Sequence, residues 1–138
     1  MVQTLDPAKK LGPAPERNAL PHPQWAFFKG KFVPIDDAKI SIMTQVVNYG
    51  IGAFGGVRAY WNEEAQQLYV FRIEDHVRRF LNSGKLFNAT LRYSAEDLKR
   101  IIVDLLRHEG YREDAYIRPL IYNATEDITP RLYDVDFD

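Results

Sequence analysis

The feature that most constrains this chain is one amphipathic stripe near its C-terminal end. Leu98, Ile101, Ile102, Leu105 and Leu106 recur at i, i+3, i+4, i+7 and i+8, the spacing of a single apolar helix face. Ser94 stands where an N-cap belongs, and Asp97 three residues on can answer it as the acidic half of a box-like cap. Gly110 supplies the residue that ends a helix in a left-handed turn. A helix with one apolar stripe must bury it against a second layer, so the rest of the chain has to provide that layer.

Short extended runs provide it. Residues 25–34 carry apolar side chains on both sides of Lys29-Gly30-Lys31, a hairpin pattern. Gly50 and Gly52 make 46–53 a short helix or turn ahead of a strand. A strand over 55–61, a turn over 62–66 and a returning strand over 68–71 follow. Val77, Phe80, Leu81 and Gly84 recur at helical spacing, which predicts a second amphipathic helix over 74–86. Residues 115–121 read as a buried strand, and Val135 and Phe137 open another alternating run. The expected architecture is α+β, a mostly antiparallel sheet covered by two helices.

The 138 residues fit one domain. Pro7, Pro13, Pro15, Pro21 and Pro23 make 1–24 an extended arm, leaving 25–138 as the domain. A domain that stops on the first residues of an alternating strand reads as truncated. A formal net charge of -1 provides no field for nucleic acid or an anionic membrane. The lack of cysteine excludes disulfides and thiolate metal sites and suits a cytoplasmic protein. No apolar run approaches the roughly 20 residues that span a bilayer. His22, His76 and His108 are too scattered for a metal-ligand pattern.

Three segments carry residues suited to chemistry. In 49–61, YGIGAFGGVRAYW, alternation puts Phe54, Gly56, Arg58 and Tyr60 on one face and Val57, Ala59 and Trp61 on the other. An aromatic, a glycine and an arginine in series suit a ligand wall; the alternative is a bulged strand edge with a solvated arginine. In 71–81, FRIEDHVRRFL, adjacent Arg78 and Arg79 point about 100° apart on a helix. One then faces solvent and the other the protein body, where it could grip a phosphate; the alternative is two solvated arginines balancing Glu74 and Asp75. In 116–120, YIRPL, Tyr116 and Arg118 share a face and offer a hydroxyl and a cation to a carboxylate. Pro119 marks an edge or bulge there, and the alternative is a half-solvated sheet.

Together, YGIGAFGGVRAY, EDHVRRF and AYIRPLIY resemble the small domain of the class IV (fold-type IV) pyridoxal phosphate aminotransferases, over most of 25–122. The Y-x-R-P element with the upstream G-x-R is similar to branched-chain amino acid aminotransferases in particular. Gly55 departs from the resemblance, since that family usually has glutamate there.

The resemblance implies an N-terminal small domain whose parent transfers amino groups from leucine, isoleucine or valine to 2-oxoglutarate, interconverting it with glutamate. The implied cofactor is pyridoxal 5'-phosphate, its phosphate gripped by Arg79. Tyr49, Phe54 and Gly56 would line the pocket for the branched side chain. Arg58, Tyr116 and Arg118 would form its polar part, with Arg118 on the distal carboxylate of glutamate. The Schiff-base lysine of the family lies in a larger C-terminal domain, so the resemblance implies that this chain holds no catalytic residue, is inactive alone, and has that large domain and a second copy as partners. Two alternatives stay open: a D-amino acid aminotransferase or aminodeoxychorismate lyase of the same fold, and a non-catalytic dimerisation or anion-binding module.

Overall fold

The computed structural model describes residues 22–128 and residue 137. The arm expected over 1–24 lies outside them except for its last three residues, as does the run from Val135 except for Phe137, which bridges Asn123. Among the described residues no helix is long and apolar enough to cross a membrane.

Order begins with the expected hairpin. Strands β1 (Trp25–Phe28) and β2 (Lys31–Pro34) pair antiparallel around a two-residue turn. Lys29 (φ 49°) and Gly30 (φ 86°) both take left-handed backbone there, which matches the twist of the flanking strands. Helix α1 (Gln45–Tyr49) stops on Gly50 at φ 67°, and β3 (Gly52–Phe54) and β4 (Val57–Asn62) follow. Strand β5 (Gln67–Val70) returns alongside β4. Helices α2 (Ile73–Lys85) and α3 (Ala95–Glu109) precede β6 (Ala115–Ile117) and β7 (Leu120–Tyr122).

Helix α3 forms as its sequence requires. The Ser94 hydroxyl accepts from the Asp97 amide at 3.1 Å, and the Asp97 carboxylate accepts from the Ser94 amide at 3.0 Å. Gly110 closes the helix in left-handed conformation. Its stripe meets α2 and the inner face of β5-β4-β6, where Val57, Ala59, Val77, Ile102, Leu106 and Ile117 form one core. Each of the larger side chains contributes about 1.5–3 kcal/mol by burial. Lys99 ties the two helices at their exposed edge, between Glu74 at 3.2 Å and Glu96 at 2.7 Å.

Two strand expectations need correcting. The strand expected over 55–61 starts only at Val57, and the one expected over 115–121 is broken at Arg118-Pro119. The two breaks face each other. Strands β4 and β6 pair on one side of them in one sheet, and β3 and β7 pair on the other side in another. Proline has no amide for the ladder, yet the Pro119 carbonyl still accepts from the Gly55 amide at 2.9 Å. The single expected sheet is therefore three small antiparallel ones.

Beneath the paired breaks the packing is close. A Cβ on Gly55 would lie 3.0 Å from Pro119 Cγ and 3.6 Å from Phe80 on α2. A second contact, from Gly84 to Ile121, sets α2 against β7; a Cβ there would sit 2.7 Å from Ile121 Cδ1. On the far side of β7, Asn123 and Gln45 are both fully buried. The Asn123 amide donates to Gln45 Oε1 at 2.9 Å, and its own oxygen accepts from the Thr125 amide at 3.0 Å. This pair pins the 123–125 segment to the start of α1, since a buried amide left unpaired is costly.

Candidate functional site

The outer face of β5-β4-β6 carries the candidate residues. Val57 and Ala59 point inward and are buried, whereas Arg58 and Tyr60 point outward, the alternation that a half-covered strand imposes. Register sets Tyr116 directly across from Arg58 and Tyr69 across from Tyr60. Phe71, just past β5, donates its amide to the Arg58 carbonyl at 2.9 Å and sets its ring edge-on to Tyr60 at 6.3 Å.

Glycine at position 56 is what lets this wall close. The Tyr116 ring lies over Gly56: a Cβ there would overlap the Tyr116 hydroxyl and lie 2.9 Å from Cζ. The Arg118 guanidinium is sandwiched between rings, 4.6 Å from the Phe54 centroid and 5.2 Å from the Tyr116 centroid. Cation–π contacts of this kind hold a guanidinium without neutralising it. The Arg58 pKa is raised above the ordinary arginine value, by hydrogen bonding and then charge interaction with the neighbouring Tyr60.

The charge pattern separates these arginines from others. Arg72, Arg78, Arg100 and Arg107 each pair with an aspartate three residues away. Among the described residues, Arg58, Arg79 and Arg118 have no carboxylate at ion-pair distance. Arg79 lies instead against His76, Nη2 to Nδ1 3.2 Å. It lines a shallow depression on the outside of α2 with Asp75, Arg78, Asn82, Ser83 and Leu86. Arg78 and Arg79 are both exposed, so neither faces the protein body as the helical angle suggested. That depression does not include Arg118. The link between the two regions is Phe80, next to Arg79, packed beneath Gly55.

Phe54, Gly56, Arg58, Tyr116 and Arg118 therefore come together, while Arg79 stands on a neighbouring surface. Tyr49, at the end of α1, donates its hydroxyl to the Ile128 carbonyl and is exposed, as are Ile42, Met43 and Val47 shortly before it in the chain. Sequence reasoning missed Tyr69 and Phe71 as members of the wall. Their i, i+2 spacing was a signal, but only register places them beside Tyr60.

This chain is 47% identical over 110 residues to a probable branched-chain-amino-acid aminotransferase of Aquifex aeolicus, with 80% of this chain and 35% of the relative aligned. The chain is a homologue of the branched-chain aminotransferases. Its fold agrees. It superposes on the branched-chain aminotransferase of the archaeon Thermoproteus uzoniensis, crystallised with norvaline, with a TM-score of 0.77 at 37% identity, covering 83% of this chain and 38% of that one. The branched-chain amino acid aminotransferase of Thermobaculum terrenum in its PLP form gives 0.75 at 27% identity, covering 83% and 38%. No family model matches. The chain spans about a third of the length of the curated branched-chain aminotransferases it matches.

Proposed function

We propose that this chain is the substrate-side small domain of a branched-chain aminotransferase, which moves amino groups between leucine, isoleucine or valine and 2-oxoglutarate. The observation that carries the reading is the pair Arg58 and Arg118, which among the described residues have no ion-paired carboxylate and stand on a wall of aromatic rings. Such an enzyme must accept an apolar side chain and a charged propionate in one pocket. A carboxylate buried without a partner is costly. Arg118, held by π faces, can receive that carboxylate with two parallel hydrogen bonds. When the apolar substrate is present, the same guanidinium stays against Phe54 and Tyr116, so no charge is stranded. Phe54 supplies apolar contact for the branched side chain, and Gly56 leaves room for the Tyr116 ring that completes the wall. Tyr116 offers its hydroxyl to the carboxylate beside the reacting carbon.

The donor set at Arg79 fits the phosphate of pyridoxal 5'-phosphate: an exposed guanidinium with no ion pair among the described residues, flanked by Asn82 and Ser83, while Asp75 in the same depression is paired with Arg72 and Arg78. When bound, that cofactor supplies an electron sink for proton removal at the substrate α-carbon. Arg79 would orient it by its phosphate, and the Arg58–Arg118 wall would orient the substrate. The Schiff-base lysine would come from a large domain, and copies of the chain would associate through exposed Ile42, Met43, Val47 and Ile128.

The test is reconstitution. Mixed with the remainder of the Aquifex aeolicus relative and cofactor, the chain is expected to form glutamate from leucine and 2-oxoglutarate, and to do so neither alone nor with Arg118→Ala. Sustained activity with D-amino acids and none with leucine would contradict the reading.

A further inference from the structure

We infer that Phe80 is a positioning residue for the Arg118 guanidinium, acting from α2 through Gly55 and Pro119; this rests on the proposed function for what the guanidinium binds. Phe54, whose ring centroid lies 4.6 Å from that guanidinium, immediately precedes Gly55, and Arg118 immediately precedes Pro119. Neither Gly55-Gly56 nor Arg118-Pro119 lies in a strand. The Gly55 amide donates to the Pro119 carbonyl at 2.9 Å and so joins the two links. Two adjacent glycines are the least restrained backbone a chain can have, so packing has to hold this link in place.

Phe80 supplies that packing. Gly55 is buried, and a Cβ on it would meet two rings at once, Pro119 at 3.0 Å from Cγ and Phe80 at 3.6 Å from Cδ2. Phe80 is itself buried. Gly84, one helical turn further along the same face of α2, packs on Ile121 of β7 so closely that a Cβ would lie 2.7 Å from Cδ1. Helix α2 is thereby keyed to β7 at Gly84 and to the sheet break at Phe80. A close-packed interior transmits displacement instead of absorbing it, so the place of the Phe80 ring fixes the place of Gly55 and Pro119.

The consequence falls on Arg118. Among the described residues it has no ion pair, so its exposed guanidinium depends on the faces of Phe54 and Tyr116. Cation–π attraction requires the cation to stay close over the ring. A shift of Gly55 against Pro119 moves Phe54 relative to Arg118 and releases the side chain to sample other rotamers. Ordering it again then opposes binding. Phe80 is buried whereas the Arg118 side chain is exposed, so its influence passes through the backbone of the two links.

The test uses the 138-residue chain labelled for NMR. Phe80→Leu keeps an apolar side chain and removes the ring that meets Gly55. It is expected to speed solvent exchange of the Arg118 Nε–H about two- to fivefold, the worth of one cation–π contact. Gly55→Ala, which pushes Pro119 away with Phe80 intact, is expected to act in the same direction and serves if Phe80→Leu does not fold. Val77→Ala is the comparison for a merely structural role, since Val77 is buried on the same helix in the core with Val57 and Ala59. It is expected to lower Tm and leave Arg118 exchange unchanged. Arg118 exchange unmoved by Phe80→Leu, or by Gly55→Ala if that variant alone folds, overturns the positioning role, as does equal loosening by Val77→Ala. In the reconstituted enzyme Phe80→Leu is expected to raise KM for 2-oxoglutarate about two- to fivefold and KM for leucine less than about twofold. Loosened Arg118 with an unchanged ratio of the two KM values supports the positioning role and overturns instead the reading that Arg118 receives the distal carboxylate.

Discussion

Gly56→Ala probes the wall at the point where it is tightest. The added Cβ would overlap the Tyr116 hydroxyl and sit 2.9 Å from Cζ and 3.0 Å from Cε2. Because Tyr116 is half exposed, its ring can swing outward and the fold is expected to survive. Leaving its rotamer and the Arg118 guanidinium costs about 0.5–1.5 and about 0.5–1 kcal/mol respectively. Against this, alanine restricts the unfolded chain and returns about 0.4–1 kcal/mol. The net expectation is a loss of about 1 kcal/mol by urea denaturation. The sharper reading comes from a double-mutant cycle. With Tyr116→Ala already present the overlap is gone, so Gly56→Ala should become neutral or stabilise the chain by up to about 1 kcal/mol. In the reconstituted enzyme, Gly56→Ala alone should raise KM for 2-oxoglutarate about fivefold, the loss of roughly 1 kcal/mol of carboxylate binding. An equal stability cost in both backgrounds would refute the claim that Tyr116 and Gly56 are matched.

Other consequences are open to simple measurements. Asn123→Ala removes the donor to Gln45 Oε1 and the acceptor of the Thr125 amide; denaturation should show a loss of about 2–4 kcal/mol, and a loss below about 1 kcal/mol would discount the buried pair. Burial, reinforced by Glu109, pushes the Tyr111 hydroxyl up to about 12. The protonated form is thus favoured by folding, and its contribution is full below the ordinary tyrosine value and lost as pH rises through about 12. Absorbance at the phenolate band should show one late-titrating tyrosine, absent in Tyr111→Phe. Hydrogen bonds from the Ser94 side chain and then its backbone hold the Asp97 carboxyl below its usual range. The cap therefore stabilises α3 fully above the ordinary aspartate range and ceases to do so as acid protonates Asp97. The difference in Tm between the parent and Ser94→Ala should shrink on acidification; a constant difference would count against the reciprocal cap.

What the sequence made legible was local. Helix α3 could be read from end to end because Ser94, Asp97, the leucine and isoleucine stripe and Gly110 all act within a few residues of one another. The start of α2 was less readable, since Arg72 adopts left-handed backbone with no capping side chain to announce it. The glycine pair 55–56 and the Arg118-Pro119 step were each visible as interruptions. That they lie opposite one another, splitting one sheet into two, depends on the register between segments about sixty residues apart. A separation of 78 residues hid Gln45 and Asn123, two polar residues whose burial has meaning only as a pair. Alternation found Phe54, Gly56 and Arg58 on one face, but it could not assign Tyr69 and Phe71 to Tyr60. Nor could it show that Arg58 and Arg118 lack acidic partners among the described residues, because side-chain pairing across strands is not written in spacing.

The central claim, that a guanidinium freed from carboxylates waits here for the charged end of a substrate, is tested most directly by the substrate selectivity of Arg118→Gln in the reconstituted enzyme. The account predicts that KM for 2-oxoglutarate rises about tenfold or more, the scale of one charge-assisted pair, while KM for leucine changes by less than about twofold. Equal losses for both substrates, or no loss for either, would contradict it.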